Sequence, residues 1–170
     1  MLDKLAIEKY FIAQKQESVL LIVLGIAAIL MAFIFLGYLK KQYYHGLAAV
    51  LLLAGLLQII IGYLVYNSSD EYRKRNVYAY DMNRGQLRDK EMPRVEKLVK
   101  LLAIIKYVVL VLLVGGILSA LYFRGNGNLF WKFFCISILI EATVCLGFNF
   151  WTEKSTQHYL KELNSFFEGK

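Results

Sequence analysis

The sequence predicts an all-α integral membrane protein, with four transmembrane helices and amphipathic helices on the cytoplasmic side. Three observations lead there. The hydrophobic fraction is 58% and the mean hydropathy +0.49, both high for a soluble domain. The apolar residues gather into four stretches of about 20 residues or more, the length that crosses roughly 30 Å of hydrocarbon. The charge is segregated, since the 20 Lys+Arg and 13 Asp+Glu fall almost entirely outside those stretches. At 170 residues the chain has room for a single membrane domain.

Residues 1–17 read as a cytoplasmic amphipathic segment lying along the membrane surface. Leu2, Leu5, Ala6 and residues 9–11 form its apolar side, and Asp3, Lys4, Glu8 and Lys15 face water. The first span, 19–39, carries no charge. It is no cleavable signal, because Leu39, Lys40 and Lys41 stand where a small-residue cleavage site would lie. The second span, 46–66, is interrupted only by Gln58. Residues 67–97 form a basic cytoplasmic helical segment. Ser68 and Glu71 fit a capping box there, unless the helix runs straight out of the second span. Gly85 is the expected break, and Pro93 suits the first turn of a new helix. The third span, 101–123, has Lys106 near its start. The fourth, 129–151, has Lys132 near its start and Glu141 in its middle. A tail helix over 152–170 places Tyr159, Leu160, Leu163, Phe166 and Phe167 on one stripe. That stripe must cover the membrane surface, another apolar face or a partner. Spanning segments in lipid must satisfy their backbone internally, which makes them helices. Continuous apolar runs lack the two-residue alternation of a membrane β-barrel.

Orientation follows from charge. The two short connections and Lys132 contain only Lys40, Lys41, Arg124 and Lys132 of the 20 Lys+Arg. The rest accompany the two ends and the middle segment, as does every acid except Glu141. The bias predicts both termini inside the cytoplasm. Tyr38, Tyr43, Tyr44, Tyr122, Phe130 and Trp131 would mark the outer boundary, and Tyr63, Tyr66 and Trp151 the inner one. The basic residues flank apolar segments and form no separate basic domain, so no nucleic acid is expected as a partner.

The residue that asks for a reason is Glu141. An intramembrane carboxylate is costly and points to function or to a specific packing partner. Counted from the outer ends, Glu141 and Gln58 both lie about 12 residues down their spans, near 18 Å. A Gln58–Glu141 hydrogen bond between spans two and four is therefore expected. Lys106, the rival partner, lies deeper and leans toward the inner headgroups. Arg73, Lys74, Arg75 and Lys106 are the candidate contacts to anionic lipid heads. Gly25, Ala28 and Ala32, and Gly115, Gly116 and Ser119, read as small-residue packing faces. Cys135 and Cys145, ten positions apart on one helix, are about 15 Å apart axially and form no disulfide. His45 and His158 stand at opposite boundaries, so no metal site is expected. The Asn67-Ser68-Ser69 acceptor falls on the cytoplasmic side and is discounted. Neither a nucleophile–base pair nor a phosphate loop is legible, and no cofactor is expected.

The last span and its exit read Ile138-Leu139-Ile140-Glu141-Ala142, then Phe148-Asn149-Phe150-Trp151-Thr152-Glu153-Lys154, then Tyr159-Leu160 and Leu163. This resembles the end of a group of small four-span bacterial inner-membrane proteins. Their pattern has a polar residue in the last span, an acidic-aromatic exit and a Tyr-Leu tail helix. The chain departs from it at Asn149, where an acid is expected, and at Lys154, where Arg is expected. Some of that group resemble immunity proteins encoded beside membrane-perforating or depolarising toxins. The resemblance implies a non-catalytic inner-membrane protein that binds and neutralises such a toxin. The partners expected are the lipid bilayer and a protein met through the spans or the cytoplasmic face, with a homo-oligomer also allowed. The alternatives are an accessory or scaffold subunit of a membrane complex, or a small proton-coupled transporter using Glu141. Transporters of the dimeric four-span type are shorter and carry their acid in the first span.

Overall fold

The computed structural model describes residues 3–38, 44–123 and 129–168. Among them every regular element is helical: α1 (Lys4–Gly37), α2 (Tyr44–Met82), a short α3 (Arg84–Gln86) passing into a π-helical turn (Leu87–Glu91), α4 (Met92–Tyr122) and α5 (Leu129–Glu168). Four of these stretches are long and apolar enough to cross a membrane. The expected four-span, all-α membrane fold is what the chain adopts. Lys40, Lys41, Tyr43 and the 124–128 connection lie outside the described residues.

The lengths decide the architecture. Helices α1, α2, α4 and α5 contain 34, 39, 31 and 40 residues. At 1.5 Å per residue they measure about 45 to 60 Å, well beyond the roughly 30 Å of hydrocarbon. The surplus projects on the side of both termini, where the helix ends pack into a head. The 1–17 segment is accordingly no separate surface helix, and α1 runs unbroken from Lys4 through the first span. Nothing between Gln14 and Ser18 breaks a helix. Its apolar residues Ile7, Tyr10 and Phe11 are buried in the head core with Ala79, Leu87, Val95, Tyr159 and Leu163. Tyr10 and Tyr159 stack with ring centroids 4.1 Å apart and planes 9° from parallel. The apolar stripes of the two ends thus cover one another.

The same continuity removes the capping box. Ser68 Oγ donates to the carbonyls of Leu64 and Val65 (2.9 and 3.2 Å), and Ser69 Oγ to that of Val65 (2.6 Å), so both hydroxyls bond back along α2. The break comes at Asn83, two residues before the expected Gly85, which itself lies within α3. The π turn then carries the chain into α4, whose Pro93 occupies the first turn as expected.

The helices form a row, α1–α2–α5–α4, with α1 also reaching α5 in the head. Close approach explains the order. A Cβ on Gly25 or on Gly55 would lie 2.7 Å from the other's carbonyl oxygen, so only glycine allows the α1–α2 crossing. Ala28 and Ala32 are buried on the same face of α1. Gly46 meets the Phe130 carbonyl of α5, and Gly116 meets Leu139. Gly115, its neighbour, faces open space. The row leaves the spans thinly covered. In the most apolar stretch of each, only 11 to 22% of residues are buried within the chain.

Candidate functional site

Helix α5 is the spine of the polar contacts. Glu141, Asn149, Glu153 and Thr156 recur on one face at helical spacing, with Thr152 beside them, and between them they reach α2, α4 and α1. In the middle of the spans Gln58 Nε2 of α2 donates to Glu141 Oε2 at 3.0 Å. This is the bond that the depth count predicts. It works because α2 and α5 both start at the end opposite the head and run parallel, so equal counts give equal depth. Gln58 is buried and its Oε1 has no hydrogen-bond partner, whereas Glu141 is partly exposed.

About two to three turns beyond Glu141, toward the head, the partner becomes α4. Asn149 Nδ2 donates to the Leu102 carbonyl at 3.3 Å, leaving its Oδ1 buried without a partner. Lys106 Nζ donates to both carboxylate oxygens of Glu153, at 2.8 and 2.7 Å. Glu153 also accepts from Gln157 Nε2 at 3.1 Å. Where the sequence suggested lipid headgroups for Lys106, the structure gives its ammonium a carboxylate partner. Its side chain does lean toward the head, but it ends on a carboxylate whose side chain is 10% exposed.

Nearest the head the partner is α1. Thr152 Oγ1 donates to Glu17 Oε2 at 3.0 Å, and Tyr10 Oη lies 3.5 Å from Thr156 Oγ1. Burial pushes the Glu17 carboxyl above its usual range, and the Thr152 hydrogen bond opposes part of that shift. Burial likewise pushes the Tyr10 and Tyr159 phenols up.

The basic run has three separate fates. Arg73 pairs with Asp70 at 3.4 Å on its own helix. Arg75 lies 3.9 Å from the fully buried Glu91 and 4.8 Å over the Tyr72 ring. Lys74 remains exposed. Glu91 is held chiefly by Arg94, at 2.6 and 2.9 Å, whose guanidinium sits 4.3 Å over the Tyr72 ring. Burial works against the Arg94 charge, but its hydrogen bonds to Glu91 keep its pKa above the ordinary value. Arg94 is therefore largely covered by the head, whereas the Arg75 side chain stays more than one-third exposed.

Among the described residues no group of three His, Cys, Asp or Glu could hold a metal ion. Cys135 and Cys145 are free thiols. His158 lies 3.4 Å from Glu162 one turn on. Sequence reasoning missed Glu153, Asn149 and Glu91 as partners. The four-residue repeat 141–145–149–153 on α5 was the available signal.

Compared with protein-family models, with curated proteins and with solved structures, the chain matches none.

Proposed function

We propose that this chain is a non-catalytic immunity protein of the bacterial inner membrane, which binds and neutralises a membrane-targeting antibacterial toxin inside the bilayer. One observation carries the reading: few residues in the most apolar stretch of each span are buried within the chain, while the Gln58–Glu141 pair lies at mid-depth. A polar group on an inserted toxin helix is expensive when unpaired in hydrocarbon. Glu141, partly exposed and bordered by the exposed Ile140 and Val144, offers such a group an acceptor. The head offers less, because its apolar stripes are already packed against each other. The sequence resemblance of the last span and its exit adds the immunity role. The charge bias supports a cytoplasmic position for the head and both termini.

A second reading, an accessory or scaffold subunit of a membrane complex, is favoured by the head itself. It is a folded platform with exposed Arg84, Arg88, Lys90 and Lys97 on its surface.

The test is co-expression with the toxin encoded beside this chain, scored by survival and membrane potential. Protection by the wild type, reduced by Glu141→Leu at equal membrane levels, supports the reading. Failure of the wild type to protect ends it.

A further inference from the structure

A separate feature lies where α1 and α2 leave the apolar layer. Ile12, Lys15 and Val19 of α1 face Tyr66, Asp70 and Arg73 of α2 across an open cleft of about 540 Å³. Val19 begins the apolar stretch of α1 and Tyr66 ends that of α2, so the cleft sits at headgroup depth. Lys15 Nζ meets Asp70 Oδ2 at 2.5 Å and lies 4.6 Å from the Tyr66 ring centroid. Arg73 reaches the other Asp70 oxygen at 3.4 Å. Two cations thus share one carboxylate, and the cleft keeps one net positive charge. Ammonium and guanidinium carry three and five N–H donors, so most remain available to a further acceptor. Both side chains are about one-third exposed, at 31% and 35%. Ile12, Val19 and the Tyr66 ring supply an apolar wall running toward the bilayer.

We propose that this cleft is a site for the phosphate of an anionic phospholipid, with the glycerol and first acyl carbons against Val19 and Tyr66. The inference goes beyond toxin binding and does not depend on it. Charge complementarity selects the occupant, since a phosphate diester carries one negative charge against the one unbalanced cation. Depth selects the source, because the apolar wall has no use to a free phosphate ion. The pairing itself shows in the acid: the Lys15 hydrogen bond holds the Asp70 carboxyl below its usual range.

The experiment is native mass spectrometry of the full chain in neutral detergent, where no bilayer surface potential acts. Phosphatidylglycerol, phosphatidylcholine of matched chains and inorganic phosphate are titrated separately. Phosphatidylglycerol is expected to bind one to one, on the order of fivefold tighter than phosphatidylcholine, from about 1 kcal/mol per unbalanced basic charge. K15Q/R73Q is expected to lose on the order of thirtyfold and Asp70→Asn to gain about fivefold. The triple variant K15Q/D70N/R73Q leaves no unpaired charge and is expected to fold, with a loss of about fivefold. Lys74→Gln, one residue away but outside the cleft, is expected to change affinity less than about twofold. Equal binding of the two lipids, wild-type affinity in the folded triple variant, or equal losses from Lys74→Gln and Arg73→Gln would each overturn the site. Displacement of bound lipid by millimolar inorganic phosphate alone would overturn the lipid as its occupant.

Discussion

The Lys106–Glu153 pair gives an asymmetry that a surface ion pair would not show. The Glu153 side chain is 10% exposed and that of Lys106 32%. Lys106→Met leaves a buried carboxylate with the single neutral donor Gln157. Breaking a buried pair from one side costs 3–5 kcal/mol in soluble proteins; with Gln157 retained and the boundary close by, about 2–4 kcal/mol is expected. Glu153→Gln instead frees an ammonium that can swing to water or headgroups, and about 1 kcal/mol is expected. Replacing both, K106M/E153M, removes the charges together and should lie within about 1 kcal/mol of wild type. The assay is equilibrium unfolding by SDS in mixed micelles, followed by the fluorescence of Trp131 and Trp151. Equal costs for the two single variants, or a double variant as unstable as their sum, would refute the buried-pair account and return Lys106 to the lipid.

Three further outcomes follow. Gln58→Leu and Glu141→Leu should each cost about 1 kcal/mol, and the double variant clearly less than the sum, since an intramembrane hydrogen bond has a modest net worth; additive costs in the same assay would deny the bond. Gly55→Ala forces a Cβ to 2.7 Å from the Gly25 carbonyl and should destabilise by about 1–3 kcal/mol. Gly115→Ala points into open space and should be neutral or stabilising by up to about 1 kcal/mol. Glu17, whose folded carboxyl has a raised pKa, binds its proton more readily folded than unfolded. Its contribution favours folding below the ordinary carboxylate range and is lost as pH rises through the folded pKa. Glu17→Gln should therefore raise the melting temperature at neutral pH and flatten its fall between acid and neutral; a steeper fall would contradict the burial argument.

Parts of this design are legible in the sequence for identifiable reasons. Hydropathy alone sets the four spans, because lipid permits no other backbone there. The Gln58–Glu141 contact is legible because counting from a shared boundary fixes depth. The end of Lys106 is not, since a headward lysine meets a phosphate or a carboxylate equally well until the face of α5 is known. The head was equally hidden: the stripes at residues 1–17 and in the tail suit a membrane surface as well as they suit each other. Gly25, Ala28 and Ala32 mark a packing face, but only the structure pairs Gly25 with Gly55.

The proposed intramembrane recognition is tested most directly by site-specific photo-cross-linking in membranes containing the toxin. Probes at Val144, beside Glu141 on the exposed face of α5, and at Tyr78, exposed on the head, separate the two surfaces. The account expects toxin adducts from Val144 that fade with Glu141→Leu, and none from Tyr78. Adducts from Tyr78 alone would contradict it and move recognition to the head.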